Sequence, residues 1–327
     1  MKHLKGRLGW VGIGLAAVAV AFLPFAGVNA YVMTFLFVVM FNTALAVGWN
    51  ILGGYAGYAS FGHVAFVGVG GYATALLLSL LGWSPLFTAL LGGAAAAVLA
   101  VLVGYPCLRL RGPYFALVTL IVSLAVAVVV LNLPGINASA GIFLPPPSDS
   151  MVINRFVLYE AMAAILLVTI VAARLVERSR FGVGLVAIRE DEEVAATQGI
   201  PTTRLKLTAF VLSAGLAGLA GGVFSWHLGF LEPGGMFDVN LSVLVVLLAL
   251  LGGTRSWPGP VIGAVLVTLL QEFLTLQVSA SAAQIAFGVL LALVIIFLPD
   301  GLLGKSRFAE RSWYPGNCGR SEKEAAG

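Results

Sequence analysis

An all-α polytopic membrane protein is the fold class this sequence predicts: about ten transmembrane helices, N-terminus and C-terminus cytoplasmic, some helices broken at Gly or Pro. Three observations predict it. Hydrophobic residues make up 60% of the chain, charged residues 10%, and mean hydropathy is +1.03. A soluble protein so composed would expose large apolar patches. The apolar residues also fall in continuous runs of about 20, the length that crosses a bilayer, and do not alternate as barrel strands do. With the N-terminus inside and sides alternating, every basic residue except Arg155 lies in an inner loop or tail, which is the positive-inside pattern.

The apolar segments, in order, are 9–28, 31–52, 61–81, 86–105, 113–132, 156–174, 207–228, 239–254, 258–277 and 283–299. Lys2, Lys5 and Arg7 before the first run imitate a signal peptide. Another run follows at once and Ala26-Gly27 is a poor cleavage site, so the first helix is expected to stay. The eighth segment is short and ends at Gly252-Gly253, so a tilted, broken or partial span is expected there. These segments define a transmembrane domain over 1–304, and a polar cytoplasmic tail follows over 305–327. The outer side carries one long loop, 133–155, in which Pro145-Pro146-Pro147 excludes a regular helix. A lid or docking surface and a plain connector are equally open readings of it. Neither Cys107 nor Cys318 is expected in a disulfide or a metal site. The net charge of +4 reads as orientation in the bilayer, and nothing in it calls for nucleic acid.

Residues 174–206 form a polar handle between apolar segments, with six of the 18 basic and five of the 14 acidic residues. A short helix is expected from about Phe181, through Leu185, Ile188, Val194, Ala195 and Ala196, closed by Gly199 and Pro201. Leu185, Ile188 and Glu192 are spaced three and four apart and share a face. The acids Glu190, Asp191, Glu192 and Glu193 repel an anionic leaflet, which favours a protein partner over a lipid surface. Periodicity alone leaves partner docking and a surface connector both open. A rigid helix with apolar anchors and ion pairs could pass the motion of a motor domain to the membrane helices.

Within the bundle, residues 48–73 are rich in glycine, and Gly53-Gly54 and Gly57 allow the backbone to break or approach another helix. Ser60 and His63 flank Gly62 and can satisfy freed backbone groups. A second break follows at Gly252-Gly253 and Trp257-Pro258-Gly259-Pro260. Paired breaks in two halves point to a central translocation site, and close packing without transport is the alternative. Candidate pathway residues are Asn50, Gly54, Gly57, Ser60, His63, Thr119, Asn240 and Glu272. An acid such as Glu272 inside a span must face a partner, a pore or the bundle interior. His, Cys and carboxylates show no metal spacing, and no P-loop is present. No cofactor is therefore expected on this chain, and any ATP must be bound by another chain.

Four stretches carry a family resemblance: GGYAGYASFGHVAFVGVGGYATALL at 53–77, LRLRGPYFALVTL at 108–120, SRFGVGLVAIREDEEVAATQGI at 179–200 and GGTRSWPGPVIGA at 252–264. Over roughly residues 30–300 the chain resembles the LivM-type permease subunits of bacterial ABC importers for branched-chain amino acids. That family also includes urea, amide and other amino-acid permeases. The resemblance implies that 175–206 is the coupling loop, where Arg189, Glu190, Asp191, Glu192, Ala195 and Gly199 contact or shape the interface with a cytoplasmic ATPase. It also implies a second, non-identical permease subunit, two ATPase subunits that use ATP and Mg, a periplasmic substrate-binding protein and an inner-membrane location. Two departures stand out. Many relatives have Gln where this chain has Tyr58, and relatives commonly carry a Thr-Gly-Gly segment where this chain has LNLPGINASAGIFLP. The second departure bears on substrate, leaving urea, a short amide or another small metabolite beside the branched-chain amino acids. Two rivals remain from other classes. An ion-coupled secondary transporter would follow an ion gradient without an ATPase. A non-transporting scaffold would lack a continuous polar route near 48–63 and 252–260.

Overall fold

The computed structural model describes residues 29–132, 141–146, 151–277 and 301–303, with isolated positions at 285, 288, 289 and 293. The expected first span 9–28, both termini and the tail with Cys318 lie outside the described residues, as does nearly all of the tenth span 283–299. The described chain forms α1 (Ala30–Gly53), α2 (His63–Leu81), α3 (Pro85–Cys107), α4 (Pro113–Leu131), β1 (Ile142–Phe143), α5 (Met151–Arg178), α6 (Arg180–Glu190), α7 (Glu192–Thr197), α8 (Thr202–Leu228), β2 (Phe230–Leu231), α9 (Pro233–Met236), α10 (Val239–Gly252) and α11 (Pro258–Gln277). Among the described residues, seven helices are long and apolar enough to cross a membrane: α1, α3, α4, α5, α8, the run 234–252 through α10, and α11. α2 adds a shorter apolar stretch, His63–Ser79. The chain is an all-α, multi-pass membrane protein.

Local chemistry sets the helix ends. Pro85 and Pro113 occupy first-turn positions, where their fixed φ and missing N–H cost nothing. α2 and α8 stop at the left-handed glycines Gly82 and Gly229. Two helices run past the apolar segments that announced them. α5 starts five residues before 156 and continues four beyond 174, and α8 starts at Thr202 instead of 207. Charges such as Arg155, Glu177 and Lys206 end the hydropathy signal while the helix carries on. The expected outer loop 133–155 is shortened accordingly, since 151–155 belong to α5. Upstream of it, Ile142 pairs antiparallel with Leu231 and Phe143 with Phe230. The Trp226 indole donates to the Pro145 carbonyl at 3.2 Å, which pins the extended approach to the prolines.

The second half of α1 is enclosed by other helices. Every residue from Met40 to Leu52 is buried, and the helix packs against α5, α8, α10 and α11. A second layer joins α2, α3 and α8 through glycine contacts. A β-carbon on Gly70 would lie 2.5 Å from the Gly218 Cα, and one on Gly218 would lie 3.2 Å from the Gly93 Cα. Small residues let the three backbones approach closely, the usual way membrane helices associate where apolar burial gives no drive.

Candidate functional site

The handle sits at the end of the bundle where α5 stops and α8 begins. It is two helices, not the single short helix expected. Asp191 adopts an extended conformation (φ −159°, ψ 112°) between α6 and α7, and its Oδ1 accepts from the Glu193 and Val194 amides at 2.9 and 3.0 Å. A short acid that captures free amides starts a new helix more readily than it continues an old one. Ser179 caps α6 in the same way, accepting from Gly182 N at 3.2 Å. Gly199, at φ +79°, ends α7 with Ile200 N bonded back to Ala195 O. Leu185, Ile188 and Ala195 are buried, so the apolar face of the handle is spent on the bundle itself. The tip that points away carries Glu190, Asp191 and Glu193, together with exposed Val183 and Val194.

Beneath the handle lies a buried charge cluster. The Lys206 side chain is only 4% exposed. Its ammonium donates to Glu192 Oε1 at 2.6 Å, the Tyr58 hydroxyl at 3.0 Å and the Leu108 carbonyl at 3.2 Å. All three of its protons are thus used. The Tyr58 hydroxyl donates to Glu192 Oε2. Arg111 reaches Glu192 at 3.6 Å and Glu193 at 2.8 Å. Burial acts to raise the Glu192 carboxyl, but the hydrogen bonds from Lys206 and Tyr58 and the charges of Lys206 and Arg111 outweigh it, leaving the group below the usual carboxylate range. The Tyr58 phenol is pushed up, first by burial and then by the hydrogen bond and negative charge of Glu192. Beside this cluster, Arg189 Nη1 donates to the Gly54 carbonyl at 2.9 Å. Its side chain crosses Gly57 (φ +76°), where a β-carbon would lie 2.6 Å from Arg189 Cγ. A cleft of about 180 Å³ opens here, lined by Gly57, Tyr58, Arg111, Ile188, Arg189 and Glu192 among others.

From Gly57 the chain folds back into the bundle. Over residues 54–62 it turns back alongside α1: the Trp49 indole meets Ser60 O, and through Ser213 the His63 ring reaches Gly48 O, six residues or ~9 Å along α1 from Gly54. Irregular backbone at such depth must find its hydrogen bonds inside the protein. The Trp49 indole donates to Ser60 O at 2.8 Å, and Phe61 N donates to Thr119 Oγ1 at 3.1 Å. Gly62 N donates to Ser60 Oγ and Val64 N to Ser242 Oγ, both at 3.2 Å. At the top, the Ser213 hydroxyl gives its one proton to Gly48 O at 2.7 Å. It must therefore accept from His63 Nε2–H at 2.8 Å, which assigns the tautomer and leaves Nδ1 as a buried acceptor.

The second break lies against the first. A β-carbon on Gly54 would lie 2.6 Å from Thr254 O, and one on Gly252 would lie 2.9 Å from Gly263 N. Glu177, at the end of α5, ties the two breaks together. Its Oε2 accepts from Trp257 N at 3.1 Å and from the Tyr55 hydroxyl at 3.4 Å. The Arg174 guanidinium lies 5.6 Å from the Trp257 ring centroid.

The structure therefore gathers Asn50, Gly54, Gly57, Ser60, His63 and Thr119 around the fold-back, at the handle end. Asn50 is fully buried in the last turn of α1. Glu272 lies far from them, at the other end of α1, whereas Asn240 lies only two residues before Ser242, whose hydroxyl accepts from Val64 N. Asn240 is exposed at the start of α10, hydrogen-bonded to Asp238. Glu272 lies late in α11 and accepts from the Tyr31 hydroxyl. Of the handle residues, Arg189, Glu192 and Ala195 face the bundle, and Glu190, Asp191 and Gly199 are exposed. Lys206, Arg111, Glu177 and Ser242 complete the site and were not singled out in the sequence. The one usable signal was an excess of charge at helix ends, which does not say which charges turn inward.

Residues 31–299 match the family described as branched-chain amino acid transport system, permease component. The chain belongs to that family. Among similar proteins, the high-affinity branched-chain amino acid transport system permease protein LivM of Salmonella typhimurium is 29% identical over 93% of this chain and 76% of its own. The corresponding LivH protein of Escherichia coli K12 is 24% identical over 80% of this chain and 90% of its own, and BraD of Pseudomonas aeruginosa is 26% identical over 80% and 91%. No solved structure matches the chain. The fold-back and handle of this permease coincide with two of the motif-bearing stretches, 53–77 and 179–200, and the second break with a third, 252–264.

Proposed function

We propose that this permease is a translocation subunit of an ATP-driven importer in the bacterial inner membrane, moving branched-chain or related small amino acids, with its handle docked on a separate cytoplasmic ATPase. The observation that carries the reading is the handle: it is braced against the bundle by buried side chains and exposes Glu190, Asp191 and Glu193 beside Val183 and Val194. Such a surface suits a partner with basic and apolar contacts. The printed names of the relatives supply the substrate class, and the family is that of the permease component. E. coli K12 has both a LivM and a LivH protein similar to this chain, which supports pairing with a second, unlike permease. Two ATPase subunits would bind ATP and Mg, this chain would bind no cofactor, and a binding protein would deliver substrate at the end opposite the handle. Glu190, Asp191 and Glu193 then contact the ATPase, while Arg189, Glu192, Ala195 and Gly199 shape the element that does so.

Reconstitution tests this directly. Uptake of labelled leucine into proteoliposomes should require the ATPase, ATP and the loaded binding protein together. Concentrative uptake that follows an ion gradient without the ATPase would overturn the reading. Reversing the tip with Glu190→Lys and Glu193→Lys should cut ATPase co-purification, and unchanged association would move the docking surface elsewhere.

A further inference from the structure

We propose that Lys206 is the positioning residue through which displacement of the handle reaches the fold-back inside the bundle; this rests on the docking of the handle proposed above. The argument is one of connectivity. The Lys206 ammonium bonds to the handle through Glu192, to the fold-back through the Tyr58 hydroxyl, and to the α3–α4 turn through the Leu108 carbonyl. Lys206 itself sits in the first turns of α8, the helix that lies against α1, α2 and α3. Four elements thus meet at one nitrogen. The partners also bond to one another, Tyr58 to Glu192 and Arg111 to both Glu192 and Glu193. Tyr58 lies two residues before Ser60, whose carbonyl and hydroxyl bond to Trp49 and to Gly62 N, next to His63.

A buried ammonium with no spare proton cannot drift from its carboxylate without stranding both charges in a poorly solvated site. Pulling the handle therefore carries Tyr58 and the α3–α4 turn along or breaks the cluster outright. Outside this cluster, the Arg189 bond to Gly54 O is a single contact to one element and reaches only the first residue of the fold-back. The apolar foot of the handle holds it in place, but Leu185 and Ile188 give no directional bond to Tyr58. Positioning and anchoring are thus separable in this site, and they make different predictions.

The test compares wild type, the double variant Glu192→Met with Lys206→Met, and Tyr58→Phe, each in the full complex with ATPase and binding protein. Replacing both members of a buried pair with apolar residues removes the charge connection without leaving either buried charge unpaired. The double variant should assemble and show ATP hydrolysis stimulated by loaded binding protein. Its uptake per ATP should fall about tenfold, within the range typical of a coupling free energy. Tyr58→Phe, which deletes only the hydroxyl link to the fold-back, should lower the same ratio by a smaller factor. Both effects fall on the ratio, which a purely structural role would leave intact in assembled complexes. Uptake per ATP equal to wild type in the assembled double variant would overturn the inference while leaving the docking reading standing. Should the double variant fail to assemble, Tyr58→Phe decides alone, and an unchanged ratio there overturns it. Uptake by wild type without ATP would overturn both readings together.

Discussion

Thr119 offers a clean perturbation of the fold-back. Its side chain is buried, accepts from Phe61 N at 3.1 Å and donates to Ala116 O at 2.9 Å. Thr119→Val keeps the shape and removes both bonds. The Ala116 carbonyl is inside α4 and loses little, but the Phe61 amide loses the partner that α4 gives it. A donor stranded away from water costs about 1–3 kcal/mol, and a part-buried site such as this one falls near the lower end. A cost of about 1.4 kcal/mol is tenfold in an opening equilibrium. Hydrogen exchange in detergent or nanodiscs should therefore show the Phe61 and Gly62 amides exchanging about tenfold faster, with α4 itself little changed. Thr119→Ser keeps the hydroxyl and loses a methyl worth about 0.8 kcal/mol, so it should leave the Phe61 amide protected. If Thr119→Val exchanged at the wild-type rate there, or if Thr119→Ser opened the segment as much, the hydroxyl would not be the fastener described.

Leu185→Ala removes a fully buried anchor of the handle and should cost about 2–5 kcal/mol, read as faster protease cleavage within 179–200; unchanged resistance would refute the anchoring. Gly218→Val forces side-chain atoms onto Ala96 and the Gly93 backbone and should cost about 1–3 kcal/mol or more, read as loss of monodisperse protein and a lower Tm. The pH response of the cluster has a definite sign. Because the folded Glu192 carboxyl lies below the ordinary value of about 4.3, its contribution is fully present above that value and disappears as pH falls through the lower folded one. The mobility of a spin label introduced at exposed Val183 should thus be flat from pH 8 to about 5 and rise only in more acidic buffer; a midpoint near neutrality would contradict the assignment.

Much of the fold was legible because proline, glycine and long apolar runs act locally. α11 begins at Pro258 and ends at 277 as read, and both glycine breaks fell where the sequence put them. Helices α5 and α8 were read too short because hydropathy reports solvent while helical hydrogen bonding continues into water. The site was legible in parts. Glu192 was placed on the face of Leu185 and Ile188, but that face turned inward, because an apolar stripe in a handle finds its own bundle first. Lys206 was counted with the orienting charges of the handle. Its burial depends on Tyr58, 148 residues away in sequence, and on Glu192, 14 residues away, and neither contact lies within one helix. Tyr58 itself was noticed only as a departure from the family pattern, and its ring and hydroxyl turn out to meet the ammonium.

The fold-back also constrains the order in which the chain can be completed during synthesis. Residues 54–62 emerge early, yet their backbone relies on Thr119 from α4, and the first turn of α2 relies on Ser242 from α10. Until the ribosome has delivered residue 242, that amide has no native acceptor, so α2 can be threaded into the bilayer but not seated. Final docking of the first half thus waits for the second, and a nascent chain stopped before α10 would hold an unfinished entrance to α2.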